Sequence, residues 1–169
     1  MVERKVLLLL VAVLLVGLAL PHRNGNPVVG ADGNSFNSRS FWYYPWGRSG
    51  THKGVDIFAP VGTEVISTTG GLVLYTGQLD LGGNVVLVLG AKWRLHYYAH
   101  LHEIRTTALN WASAGTTVGT VGDSGNAKGK PPHLHYSIVS LIPYPWRMDG
   151  SPQGWKKMFY LDPTPYLVR

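Results

Sequence analysis

The pattern of hydrophobic and polar positions changes character near residue 20. Val6 to Leu20 runs for fifteen residues without a polar side chain, preceded by Arg4 and Lys5. The run has no amphipathic period, so it reads as a terminal apolar helix and not as one face of a core helix. At about 1.5 Å per residue it would be roughly 22 Å long. That is short for a membrane span of about 20 residues and suits the apolar centre of a signal peptide. Gly17 and Ala19 form a small-x-small pair that permits cleavage after Ala19. The rival reading is an uncleaved anchor, with residues 6–20 held in the inner membrane. Both readings predict export to the periplasm, the cell envelope or the medium, with Arg4 and Lys5 left inside.

After Leu20 the period shortens to two. Strands are predicted at Glu64–Thr68, Leu72–Thr76, Val85–Leu89, Arg94–His100, Thr117–Val121 and Leu134–Val139, with glycine breaks at Gly70–Gly71, Gly82–Gly83, Gly90, Gly122 and Gly125. This spacing predicts an all-β fold: a compact antiparallel sheet, rolled or sandwich-like, preceded by one N-terminal hydrophobic helix. The best helical scrap beyond residue 20 is Thr106–Ala114. His22–Ser40 is polar and rich in Asn, Gly and Ser, as a linker or extended arm would be. Phe41–Trp46 is an aromatic cluster, and the Pro- and Trp-rich stretch after Ser140 reads as a tail laid against the sheet. The expected organisation is a terminal segment over 1–20 and a single domain over 21–169. Within that domain the linker is about 21–40, the motif-bearing core about 46–140 and the tail 141–169. At least half of Trp42, Trp46, Trp146 and Trp155 are expected to pack into the core.

Composition sharpens this picture in two places. The chain has no Cys, which excludes disulfides, thiolate nucleophiles and zinc ribbons, so a metal site must use His and carboxylates. The net charge of +6 points to an anionic neighbour. Export and the scattering of the basic residues argue against nucleic acid as that neighbour.

Candidate chemistry sits in two short motifs. His52 and Asp56 lie in His-Lys-Gly-Val-Asp, and His133 and His135 lie in His-Leu-His. The second pair falls in a predicted strand, so both rings point to one face. Nitrogen and carboxylate donors suit zinc, and three protein ligands plus water is the form of a catalytic zinc site. Spacing leaves open which of His133 and His135 binds metal, and His100 in Tyr-Ala-His-Leu can join from another strand. HExxH is absent, so helix-based zinc proteases are not supported. Strand alternation puts His96, Tyr98 and His100 on one face, with His96 about 13 Å from His100 and too far to share an ion. His96, His102 at the rim and His22 in the linker are not ligand candidates. Gly54 lets the backbone bend between His52 and Asp56. Pro131 and Pro132 keep the chain extended ahead of His133. Tyr97, Tyr98 and Tyr136 read as core or groove wall, and Asp123, Ser124 and Asn126 as a solvated turn. Arg48 is a surface residue within reach of a substrate carboxylate.

The order HKGVDIFAPVGTEV, then YYAHL, then GDSGNAKGKPPHLHYSI resembles the lysostaphin/LytM-type zinc endopeptidases of bacteria, over roughly Trp46 to Val139. The resemblance implies a compact antiparallel β fold with its site in a groove, a Zn2+ cofactor and peptidoglycan peptide as substrate. It implies His52, Asp56 and His135 as zinc ligands. It implies that His100 and His133 flank the attacking water and the scissile carbonyl, one as general base or both stabilising the tetrahedral intermediate. The upstream Asn24, Asn26, Asn34 and Asn37 lie in no context matching the family's pro-enzyme asparagine, so latency is not expected. The alternative is a non-enzymatic cell-wall-binding or hydrolase-regulating module on the same fold, which the intact five positions weaken. A zinc amidase would share the metal chemistry and cut a different bond.

Overall fold

A computed structural model of the chain describes residues 2–20 and 25–167. His22 and Asn24 lie outside these described residues. Val2–Ala19 forms helix α1. Its apolar side chains are largely exposed, and the Trp93 indole N–H donates to its Leu14 carbonyl at 3.0 Å. Among the described residues no helix is long and apolar enough to cross a membrane.

The rest is β structure. In chain order the strands are β1 Val55–Phe58, β2 Glu64–Ile66, β3 Gly71–Leu79, β4 Gly83–Gly90, β5 Arg94–Ile104, β6 Trp111–Ala112, β7 Thr117–Val121, β8 His133–Ser140 and β9 Tyr160–Leu161. All pair antiparallel, in the order β1-β8-β5-β4-β3-β6. Strand β7 joins β5 to β2, and β9 adds to β8. The long β5 is the hub. β4 follows one of its edges, while β8 and then β7 share the other.

The antiparallel all-β architecture agrees with the period-two reading, and three details differ from it. β1 was not expected, because four residues carrying one Asp give too short an alternation to stand out. Thr106–Ala114 is not helical: it is a turn leading into the two-residue β6, which pairs with β3 and so has its backbone bonds satisfied across the sheet. The polar arm is not detached, since Val28 and Phe36 are buried and bridge to Val65 and Ile57. Two apolar residues in a polar stretch have no period, yet burial alone can anchor a segment.

The tryptophan expectation fails. Trp42 is buried, with its indole N–H on the Pro152 carbonyl at 3.2 Å, whereas Trp46, Trp146 and Trp155 are exposed. The elements carrying the last two are short 3-10 turns, each with little apolar surface of its own to bury them.

Alternation sorts β1, β5 and β8 into two faces. Val55, Ile57, Leu134, Tyr136 and Ile138 enter the core. On that side a buried polar network ties the strands together. The Thr68 hydroxyl lies 2.7 Å from the Tyr136 hydroxyl and 3.1 Å from that of Tyr98, and His96 Nδ1 lies 2.7 Å from the Tyr136 hydroxyl. Burial pushes both tyrosines above their ordinary pKa, which keeps the hydroxyls neutral. A buried hydroxyl is stabilising only while bonded. Tyr136→Phe removes its bonds to Thr68 and His96 without opening a large cavity. It is expected to cost about 1–3 kcal/mol, read as a lower denaturant midpoint with an unchanged slope.

Candidate metal centre

The other face of the same strands carries the histidines. The register of β1 against β8 sets Asp56 opposite His135 and Phe58 opposite His133. β5 sets Ala99, a small residue, opposite His135 on its other side and leaves room above it. His52 precedes β1 and is fixed by two backbone bonds to the aromatic segment: Trp42 N–H to His52 C=O at 2.7 Å, and His52 N–H to Tyr43 C=O at 3.0 Å. Its ring is buried beneath Trp46, stacked with centroids 4.2 Å apart. Gly54 makes the approach possible. A Cβ there would lie 2.5 Å from both the Ser137 hydroxyl and the Tyr136 carbonyl.

Three ligand atoms meet. His52 Nε2 is 3.0 Å from Asp56 Oδ1 and 3.1 Å from His135 Nδ1, and His135 Nδ1 is 2.8 Å from Asp56 Oδ1. The surrounding bonds assign the tautomers. His52 Nδ1–H donates to the Ser40 carbonyl at 3.0 Å, leaving Nε2 a lone pair. The Ser137 hydroxyl gives its proton to the Lys53 carbonyl at 2.8 Å, so it accepts from His135 Nε2–H at 3.0 Å and leaves Nδ1 a lone pair. Two imidazole lone pairs and a carboxylate oxygen thus face one another with no proton between them. Such a set calls for a cation. The spacings are close to the roughly 3.3 Å that donors keep around a tetrahedral ion with bonds of about 2.0 Å, as in zinc sites. His52, Asp56 and His135 are the group that could hold a metal among the described residues. Burial raises the Asp56 carboxyl, but the neighbouring His135 and His52 rings outweigh that and hold it well below the usual carboxylate range. Burial also lowers His135 and keeps it neutral, as a ligand must be.

His133 and His100 stand beside this triad. His133 Nδ1–H donates to the Pro131 carbonyl at 2.8 Å, and its Nε2 lies 3.9 Å from Asp56 Oδ2. His100 Nδ1–H donates to the Ser124 carbonyl at 2.9 Å. Their rings meet edge-on with centroids 5.0 Å apart. Burial, then the neighbouring His135 and His133, lower the His100 pKa to about 4. Both histidines therefore have Nδ1 committed to backbone and Nε2 open. The structure thus brings all five expected residues together.

The expectation that His96 and His100 share a strand face is overturned. His96 points into the core network, and strict alternation would send His100 there too. His100 instead has φ +63°, a left-handed conformation that breaks the alternation and returns its ring to the metal face. Its N–H is held by the Gly82 carbonyl at 2.8 Å, which supports the kink. Tyr98 and Tyr136 are core residues, while Tyr97 lines the groove, where burial pushes its hydroxyl to about 12 and so keeps it protonated. Arg48 is exposed at the rim and pairs with Asp80 at 3.1 Å. The Ser124 contribution is its carbonyl on His100, and Asn126 lines the groove. The groove over the triad has a volume of about 890 Å3. Sequence reasoning missed Ser137, although it shares parity with His133 and His135. It also missed Trp46 against His52, for which the sequence carries no signal.

Comparison with known proteins fits this geometry. The profile of peptidase family M23 matches residues 50–145. The L-Ala–D-Glu endopeptidase of Bacillus subtilis is 35% identical over 129 residues, covering 65% of this chain and 39% of that protein. The DD-carboxypeptidase/endopeptidase Mpg of Neisseria meningitidis is 35% identical over 118 residues, covering 70% of this chain and 24% of that one. The chain thus spans well under half the length of either. Among solved structures, the catalytic domain of lysostaphin from Staphylococcus simulans superposes with a TM-score of 0.60 at 26% identity, over 79% of this chain and 92% of that domain. A zinc-containing peptidase from Vibrio cholerae gives 0.56 at 25% identity, over 69% and 37%.

The Ser137 hydroxyl fixes the tautomer of His135 from behind. Loss of such an outer partner typically weakens metal binding 10–100-fold. Ser137→Ala is expected to do so here, measured by titrating Zn2+ against a competing chelator.

Proposed function

The chain belongs to peptidase family M23, and on that premise we propose that it is an exported zinc metalloendopeptidase that hydrolyses peptide bonds of bacterial peptidoglycan. The observation that carries this reading is the meeting of three unprotonated donors with two further imidazoles beside them, all on the floor of an open groove. The two relatives are named as an L-Ala–D-Glu endopeptidase and a DD-carboxypeptidase/endopeptidase, which supports a peptide containing D-amino acids as substrate. The apolar run behind Arg4 and Lys5 supports export.

In this reading His52 Nε2, Asp56 Oδ1 and His135 Nδ1 hold Zn2+, which when bound polarises a peptide carbonyl and acidifies water. The chain's own groups do the rest. His133 and His100 each keep a lone pair at Nε2 because Nδ1–H is tied to the Pro131 and Ser124 carbonyls. One Nε2 takes the proton of the attacking water and passes it to the leaving amine. The other takes up a proton from solvent at Nε2, donates it in a hydrogen bond to the developing oxyanion and keeps it through the cycle. His100 is neutral above about pH 4, so it is ready as an acceptor at neutral pH. Stacking of Trp46 on His52 and the short bond to Ser40 hold the first ligand in place before substrate arrives. No glutamate is required for proton transfer.

The test is digestion of purified peptidoglycan by the zinc-loaded protein, with mass analysis of the fragments. Asp56→Ala is expected to lose both zinc and turnover. His133→Ala is expected to keep about one zinc per chain and lose turnover by about 10²–10⁴-fold. Near-normal turnover of His133→Ala would overturn the division of roles. Release of no fragments by zinc-loaded wild type would favour a binding or regulatory module.

A further inference from the structure

The groove is unevenly charged. Arg48, Lys53, Lys130 and Lys156 line it, whereas its lining contains one carboxylate, the triad's own Asp56. Arg48 has a partner in Asp80, and Lys157, which is not in the groove, is paired with Asp149. No ion pair among the described residues involves Lys53, Lys130 or Lys156.

Two of these ammonium groups are joined by a short hydrogen-bond relay. Lys53 Nζ donates to the Ser49 carbonyl at 2.9 Å and to the Thr51 carbonyl at 3.3 Å. The same Ser49 carbonyl accepts from the Gln153 side-chain N–H at 2.9 Å, and Gln153 Oε1 accepts from Lys156 Nζ at 3.1 Å. One glutamine amide thus clips the tail to the loop ahead of His52 and sets Lys156 toward Lys53. Every partner of the pair is neutral, so their mutual repulsion is not compensated within the protein. Both side chains are half-buried, and their stems are committed to the groove wall. Lys53 follows the ligand His52 directly, and its own carbonyl holds Ser137 behind His135.

We propose that Lys53 and Lys156 form a carboxylate-binding subsite beside the triad, and that the substrate is a peptide with a free carboxylate close to the bond cut. An uncharged peptide offers these two groups only neutral carbonyl oxygens, whereas a carboxylate brings the opposite charge and offsets their repulsion. This inference rests on the peptidase reading for the bond cut, but the subsite can be read through binding alone. Lys53 lies within the residues matched by the family profile, 50–145, and Lys156 and Gln153 lie beyond them.

The experiment uses the zinc-loaded full chain and one peptidoglycan peptide in two forms: free acid, and with its carboxylates converted to carboxamides. Wild type is expected to show a kcat/KM about tenfold or more higher for the free acid. That preference should shrink in high salt. Lys156→Gln and Lys53→Gln, each checked for zinc content, are expected to bring the ratio toward one, chiefly through KM. Equal turnover of both forms by wild type, or an undiminished preference in both variants, would overturn the subsite and leave the peptidase reading intact. Equilibrium binding of the two forms to His133→Ala protein, alone and combined with Lys156→Gln, separates the opposite case. If wild type cuts neither form but the free acid still binds better, and Lys156→Gln abolishes that difference, the subsite stands and the peptidase reading falls.

Discussion

Three lone pairs on His52 Nε2, Asp56 Oδ1 and His135 Nδ1 are forced within about 3 Å of one another, and much of the structure exists to make that tolerable. Left alone, like-polarised atoms would turn apart. They cannot, because the β1–β8 register sets Asp56 against His135, and the aromatic segment pins His52 on both sides of its peptide group. Ser40, Ser137 and Lys53 occupy the far sides of the two rings, so rotation would break bonds already made. A cation among them would relieve the electrostatic tension, so the three could hold a metal.

The same two strands do opposite work on their two faces. On the inner face Tyr98, Tyr136, His96 and Thr68 form a buried polar network that cross-links β5 and β8. On the outer face those strands present Ala99, His133 and His135. Rigidity behind the site and openness in front of it thus come from one pleat. The exception is His100, whose left-handed backbone stores strain of order 1 kcal/mol or more. That strain moves a fifth imidazole or carboxylate group from the core face to the site face, and the Gly82 and Ser124 carbonyls hold it there.

Around this centre the groove walls come from outside the strands. Trp46 and the loop to Thr51 form one side, and the tail brings Gln153, Lys156 and Tyr160 against it. Asp56 and His135 sit on strands whose pairing cannot slip without moving every side chain to the wrong face. The walls are loops, whose side chains can change without disturbing that register. Chemistry and selectivity are thereby assigned to different parts of the chain.

The sequence by itself determined the antiparallel β class and the exclusion of cysteine chemistry, because alternation and residue type are local properties, and its family resemblance pointed to His52, Asp56 and His135 as the donor set. His52, Asp56, His100, His133 and His135 were all legible in it, and parity also held the unused signal for Ser137. Only the tertiary structure decided which nitrogen of each ring faces Asp56, since a tautomer is set by partners as distant as Ser40 and Lys53. It alone put His96 in the core and His100 at the site, because one positive φ inverts an alternation that sequence assumes to be unbroken. It alone set Lys156 toward Lys53, since the contact runs through Gln153 and Ser49, residues 104 positions apart that meet only when the tail folds back along β8.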